Sequence, residues 1–338
     1  MRLLIVKTSS LGDVIHTLPA ITDAQQHYPD LEVDWVVEEA FAEIPTWHPA
    51  VKQVIPIALR RWRKQIWQTL STGIWHNFIQ KLQQQKYDKI IDAQGLLKSA
   101  FITYKAQGNS CGFDFKSARE SLAALVYQQS YNIPKNQHAV TRLRQLFAAA
   151  LNYTPPKDQP NYGIVSHFQP ISPKSKIIFL HGTTWQTKHW PYEYWEILAR
   201  KMIEHGFEIA IPWGNAQEYK RAQKLAAINS NIHIIPKSNL HTIAKELTQA
   251  KAVIGVDTGL AHLAAALNIP SITLYGATAP SLTGTYGVAQ THLQVDFACA
   301  PCFNKKCTYR GATSVLPSCY QTLSPEKVIE NINKVIIK

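Results

Sequence analysis

The sequence has no apolar run near the roughly 20 residues that span a bilayer. Its first residues, Met1–Lys7, set Arg2 and Lys7 around four apolar residues. That is too short for a secretory leader and suits a buried first strand, so a cytoplasmic protein is expected. No Asp-x-Asp triplet occurs, which fits phosphate handling by helix ends and lysines better than by a divalent metal. No internal repeat or low-complexity tract stands out. Acidic residues are scarce: 23 Asp and Glu face 35 Lys and Arg, a formal net charge of +12. Such a chain is drawn to nucleic acid, an anionic membrane face or a phosphorylated substrate, and charge alone does not choose among them.

What is present is ample material for two folded domains. The chain has 338 residues, 46% hydrophobic and 10% aromatic. Strands are expected at Arg2–Lys7, Glu32–Val37, Val51–Ile57 and Lys89–Ile91, with helical spacing over Val14–Gln26 and Trp67–Gln84. Pro155, Pro156, Pro160, Pro170 and Pro173 then mark an interdomain linker, 156–175, between a first domain, 1–155, and a second, 176–338. The alternation restarts beyond it. Strands are expected at Lys176–Leu180, Glu208–Ile211, Ile232–Ile235, Ala252–Val256 and Ser271–Leu274. Helices are expected at Tyr192–Glu204, Ala216–Ala227, Thr242–Gln249 and Leu260–Leu267. The amphipathic helix Pro325–Ile337 is a candidate to cross to the first domain. Two successive β-α arrays predict an α/β protein of two Rossmann-like domains with parallel sheets, ligands lying beyond the carboxyl ends of the strands.

Five clusters can carry chemistry. Lys7-Thr-Ser-Ser-Leu-Gly-Asp13 is a strand, a polar turn and a helix start; it is neither a Gly-Lys-Ser/Thr phosphate loop nor a Gly-x-Gly-x-x-Gly fingerprint. Asp13 is either a helix cap or a reactive carboxylate at a ligand site. Val256-Asp-Thr-Gly-Leu-Ala-His262 opens a helix whose free N–H groups suit phosphate, with Thr258 and Gly259 at its start. His262 is either a core histidine or a ligand contact. His181–Pro191 is a second Gly/Thr turn, where Thr183 and Thr184 can donate to phosphate and Lys188 can neutralise a leaving diphosphate or simply be solvated. Arg60-Arg-Trp-Arg-Lys64, with Trp67 nearby, is an acidic-substrate patch or a solvated helix face. Cys299, Cys302, Cys307 and Cys319 are spaced irregularly, as a structural metal site or as free thiols; Cys111 reads as a small buried hydrophobe.

These clusters, in this order, resemble the heptosyltransferases of glycosyltransferase family 9. The resemblance rests on 7–20 (KTSSLGDVIHTLPA), 34–45, 60–64 (RRWRK), 91–100 (IDAQGLLKSA), 187–191, 212–214 and 256–267 (VDTGLAHLAAAL), and covers most of the chain to about residue 290. KTSSLGD and RRWRK favour the branch that adds the first heptose over the one that extends the core later. The resemblance implies a GT-B fold and an inverting transfer from ADP-heptose to the inner Kdo of Kdo–lipid A. It implies Asp13 as catalytic base. Donor contacts would come from Thr183, Thr184, Lys188, Glu218, Ser238, Asp257, Thr258, Gly259 and His262. Acceptor contacts would come from Ser10, Gly12, Arg60, Arg61, Arg63, Lys64 and Arg119. Ser238 departs from the family pattern, as does the cysteine-bearing segment 296–320. No cofactor, bound metal or nucleic acid is expected, and the protein would sit peripherally on the cytoplasmic face of an anionic inner membrane. Three rivals remain: a family member with a different sugar or acceptor, a basic nucleic-acid-binding protein, which leaves the two phosphate-suited turns unexplained, and a non-catalytic nucleotide-sugar sensor of the same fold.

Overall fold

The computed structural model describes residues 1–65, 72–168 and 174–336, with side chains as far as Ile332. Trp67, Pro170 and Pro173 lie outside the described residues. The chain divides into two compact units, Met1–His167 and Phe168–Lys338.

The first unit holds β1 (Arg2–Val6), β2 (Glu32–Glu38), β3 (Val51–Ile57), β4 (Lys86–Asp92), β5 (Gln107–Phe113) and β6 (Gln129–Tyr131). They form one sheet in the order β3-β2-β1-β4-β5-β6, every pair parallel. A parallel sheet is covered on both faces, so its central strands need continuous apolar runs. Leu3, Leu4, Ile5 and Val6 are accordingly all fully buried. The helical stretch expected at Val14–Gln26 begins earlier and is broken into Leu11–Ile15 and Leu18–His27. Pro19 explains the break, because a residue without an N–H is accepted only in the first turn of a new helix. Within the stretch expected at Trp67–Gln84, Ile74–Gln83 is helical.

The second unit repeats the plan with β7 (Lys174–Leu180), β8 (Glu208–Ile211), β9 (Ile232–Ile234), β10 (Ala250–Val256), β11 (Ser271–Tyr275) and β12 (Gln290–Gln294). Its order is β12-β11-β10-β7-β8-β9, again all parallel. Counted from its own first strand, each sheet therefore reads 3-2-1-4-5-6, the Rossmann order. Two such units make up the GT-B fold. Phe179, Trp195, Leu198, Ile254, Leu274 and Tyr320 fill the second core. The final helix, Pro325–Ile336, packs in that unit, on the helix Tyr192–Glu204 and on β10 and β11, with Val328 and Ile332 in the core.

This topology decides where ligands go. In each sheet the strand order reverses at one place, between β1 and β4 and between β7 and β10. Connections leave those neighbouring strands in opposite directions and open a crevice at their carboxyl ends. Lys7–Asp13 follows β1 and Ala93–Gly95 follows β4. His181–Lys188 follows β7 and Asp257–Gly259 follows β10.

Candidate functional site

In the first unit the turn after β1 is fastened by the turn after β4. The Gln94 carboxamide oxygen accepts from the backbone N–H of Thr8 (2.8 Å) and of Ser9 (3.2 Å), and its NH2 donates to Ser9 O (2.7 Å). Beneath it, buried Asp92 accepts from Gln94 N, Gly95 N and the Tyr127 hydroxyl. These bonds leave Ser10 as the cap of the helix Leu11–Ile15 and Asp13 in its first turn. Asp13 Oδ2 accepts from both the N–H and the hydroxyl of Ser10, each at 2.7 Å. The capping role is thus real, and it occupies one oxygen. Oδ1 faces Lys7 Nζ at 3.9 Å, and the side chain is 36% exposed. Burial pushes the Asp13 pKa up, but Lys7, the Ser10 bonds and Arg119 outweigh it and hold the carboxyl below its ordinary value. Asp13 is therefore an ionised carboxylate with one oxygen uncommitted to the cap.

The basic stretch follows β3. Trp62 is buried against Trp75 and Phe78, which pins the short helix Leu59–Trp62 to the core. Arg60, Arg61, Arg63 and Lys64 around it are exposed. Arg60, Arg61 and Lys64 line a pocket with Glu38 and Glu39. Arg61 is held by Glu39 at 2.8 Å. Lys98 links this stretch to the turn after β1: its Nζ is 3.4 Å from Ser9 Oγ, and it feels the charges of Glu38, Arg60 and Arg63.

In the second unit Asp257, at the end of β10, is the centre. Lys188 Nζ lies 2.7 Å from its Oδ2, the Thr278 hydroxyl donates to the same oxygen at 2.6 Å, and His262 Nε2 is 3.6 Å from Oδ1. Burial alone would raise the Asp257 pKa; His262 and Lys188 reverse that and hold it far below its ordinary value. The Thr183 hydroxyl donates to Asp257 O, tying the turn after β7 to the turn after β10. Thr258 caps the helix Gly259–Ala266 through an extended backbone and with no hydrogen bond from its side chain. Its first N–H groups are the kind that bind phosphate.

Gly182 explains how Glu218 joins this site. A Cβ there would lie 2.6 Å from the Glu218 carboxyl carbon. Asn215 caps the helix Ala216–Ala226, and Glu218 Oε2 accepts from Gly214 N at 2.7 Å. The carboxylate is held beside the His181-Gly182-Thr183 turn. Ser238 is different: it follows the edge strand β9, and its hydroxyl donates to Pro236 O.

Sequence reasoning missed several contributors. Gln94 and Lys98 lay inside a motif already noted, IDAQGLLKSA, but nothing local marked them as clamps. Thr278 follows β11, a third strand end on the same edge. Tyr320 is invisible locally: it comes from the segment past the cysteines, packs on Gly276 and donates to Lys188 O at 3.0 Å. Cys111 is fully buried as expected, its thiol pushed up to about 12 by burial. Cys299, Cys302, Cys307 and Cys319 are free thiols lining one pocket. Among the described residues no group of three or more His, Cys, Asp or Glu side chains is placed to hold a metal ion.

Two phosphate-suited turns on one Rossmann unit, and an ionised carboxylate at the switch point of another, are the parts of a nucleotide-sugar transferase. The family model of glycosyltransferase family 9, the heptosyltransferases, matches residues 75–313. The chain belongs to glycosyltransferase family 9. It is 49% identical to the lipopolysaccharide heptosyltransferase 1 of Pseudomonas aeruginosa over its whole length and 98% of that relative. It is 49% identical to the enzyme of the same name from Escherichia coli K12 over 86% of this chain and 92% of that one. The E. coli heptosyltransferase WaaC with ADP superposes with a TM-score of 0.89 at 43% identity, covering 99% of both chains. WaaC with ADP-2-deoxy-2-fluoro heptose gives 0.86. Against E. coli lipopolysaccharide heptosyltransferase 2 the identity falls to 23%, over 84% of this chain and 85% of that one. This family member is a glycosyltransferase, a heptosyltransferase of lipopolysaccharide synthesis. No helix among its described residues is long and apolar enough to cross a membrane.

Proposed function

We propose that the chain transfers L-glycero-D-manno-heptose from ADP-heptose to the inner Kdo of Kdo–lipid A, adding the first heptose of the inner core with inversion. The observation that carries this reading is the 49% identity, end to end, with a heptosyltransferase 1, against 23% with a heptosyltransferase 2. The donor follows from WaaC, a 43% identical protein solved with ADP and with a fluorinated ADP-heptose.

Asp13 Oδ1 accepts the proton of the attacking Kdo hydroxyl as its oxygen closes on the anomeric carbon. General-base help of this kind contributes roughly 10²–10⁴-fold. Ser10 holds the other carboxylate oxygen, and Gly12 lets the acceptor approach the backbone. The ADP diphosphate, leaving from the opposite face, meets Lys188, the Thr184 hydroxyl, the N–H groups at Thr258–Gly259, and Thr183 once its hydroxyl turns from Asp257 O to the phosphate. Asp257 orients Lys188 and His262; Glu218 suits the ribose hydroxyls, and Ser238 contributes its backbone. Arg60, Arg61, Arg63, Lys64 and Arg119 bind the phosphates and carboxylates of Kdo–lipid A. The net charge of +12 favours peripheral attachment to the anionic cytoplasmic face of the inner membrane. Mass spectrometry of Kdo–lipid A after incubation with ADP-heptose and the protein tests the reading. One added heptose supports it; an unmodified acceptor alongside turnover of another sugar donor or acceptor contradicts it.

A further inference from the structure

The helix Leu97–Lys105 presents two contrasting faces. Ser99, Ala100, Ile102 and Thr103 are buried against the sheet. Leu97, Phe101 and Tyr104, one face at helical spacing, are 49%, 48% and 66% exposed. The short helix Ser121–Val126 packs alongside it, joined through buried Ala100, Ala123 and Tyr127, and Leu97 N donates to Glu120 at 2.6 Å. It adds Leu122 and Leu125, 55% and 72% exposed. Five large apolar side chains on two packed elements form a patch that water would not favour. Apart from Glu120, its surroundings are cationic. Lys105 Nζ sits 5.5 Å from the Phe101 ring centre and 5.4 Å from that of Tyr104. Lys98, Lys116 and Arg119 are exposed nearby in sequence.

We infer that this patch is the surface by which the protein enters the headgroup layer of an anionic bilayer. Leu and Phe supply apolar area, Tyr suits the interface, and the Lys105 ammonium lies over the Phe101 and Tyr104 rings. A protein partner would need complementary acids, whereas anionic lipid meets the excess of cations directly. The placement relative to the proposed active site supports the same occupant. Lys98 in this helix reaches Ser9 Oγ, and Arg119 acts on Asp13. From Leu97 to Tyr104 the helix advances only about 10 Å. A bilayer held at the patch would bring an anchored sugar within reach of the Asp13 turn. The inference rests on the membrane-embedded acceptor proposed above.

The test is flotation of the full chain with acceptor-free vesicles of phosphatidylcholine alone or mixed with phosphatidylglycerol. Wild type is expected on the anionic vesicles, and F101S/L125S is expected to bind them about a hundredfold more weakly while keeping ADP affinity. L125W, which enlarges the patch without opening a void, is expected to bind several-fold tighter than wild type. Both variants floating like wild type would overturn the inference, as would a wild-type dimer that F101S/L125S dissociates in sedimentation. Turnover of acceptor lacking its acyl chains separates the two proposals. Heptose transfer to it by wild type and F101S/L125S alike, with flotation unaffected by the substitutions, removes the membrane surface alone. Vesicle binding as expected with no heptose transfer removes the functional reading.

Discussion

Lys188 Nζ lies 2.7 Å from Asp257 Oδ2, in a pair where the lysine side chain is 16% exposed and the aspartate 7%. The same oxygen accepts from Thr278, and the Trp185 ring lies 4.7 Å from the ammonium. The lysine is therefore aimed before any ligand arrives, and Asp257 does the aiming. Lys188→Ala is expected to lower kcat about 10²–10³-fold, the usual cost of removing one preorganised group that meets developing charge. Asp257→Asn keeps the shape but removes the anion, and is expected to weaken ADP binding about tenfold or more. Calorimetric titration with ADP and steady-state kinetics check both; an Asp257→Asn enzyme with unchanged ADP affinity contradicts the aiming role.

Gly182→Ala probes the position of Glu218. The added methyl meets the far end of that side chain, 2.6 Å from its carboxyl carbon. The carboxylate can swing aside at little cost to folding but cannot stay where it is. Weaker ADP binding with nearly unchanged thermal stability is expected. Gly287→Ala is the control, because its new methyl would find its nearest neighbours at 3.6 Å, an ordinary contact. Equal ADP affinities in the two variants would remove Glu218 from the nucleotide site.

Neutralising Arg60, Arg63 and Lys64 together is expected to raise the acceptor KM about tenfold or more with ADP affinity unchanged. Arg61→Ala alone is expected to do less, since its guanidinium is already engaged by Glu39 and exposed pairs of this kind contribute little. The comparison is made with acceptor varied at saturating ADP-heptose. A loss confined to donor affinity would contradict the assignment of this stretch.

How much of this could be read from the chain depends on how local each determinant is. Val51–Ile57, Tyr192–Glu204 and Glu208–Ile211 have the expected bounds, because apolar spacing and a glycine or proline at the end define them. β5, Gln107–Phe113, was not legible. Its sequence QGNSCGF has two glycines and little apolar content, and it is a strand because β4 and β6 pair with it. β6 has only three residues, too few to show a period. The site divides the same way. Asp13, Thr183, Lys188, Asp257 and His262 stand in the turns directly after strands or in the first turn of the helices that follow them, where sequence order already places them at a sheet edge. Gln94, Thr278 and Tyr320 reach those turns from elsewhere in the chain, and only the folded sheet brings them there.

The pH dependence of stability follows from two buried imidazoles. Burial pushes His48 down to about 4, and burial together with Arg221 and His189 pushes His181 to about 3. Both fold as neutral rings, while the unfolded chain takes up protons near the ordinary value of about 6.5. Unfolding therefore gains protons as pH falls, and stability is lost from about pH 6.5 downward, by roughly 3 kcal/mol from His48 alone once pH 4 is reached. Urea unfolding at pH 7.5 and pH 5 should show the loss, and His48→Gln should lessen it. A pH dependence that His48→Gln leaves unchanged contradicts the assignment. Asp13, held below its ordinary value, stays ionised through that range, so any fall in kcat/KM between pH 7 and 5 is not protonation of this base.

The claim on which the account depends most is that Asp13 takes the proton of the attacking hydroxyl. The direct measurement is the single-turnover rate of heptose transfer to Kdo–lipid A by Asp13→Asn, at enzyme in excess over ADP-heptose. Asparagine can still accept the Ser10 bonds that now end on Oδ2, so the turn and the helix start are retained. The chemical step is predicted to slow about 10²–10⁴-fold with ADP affinity unchanged. A single-turnover rate within a few-fold of wild type would contradict it, and Asp13 would then be a helix cap alone.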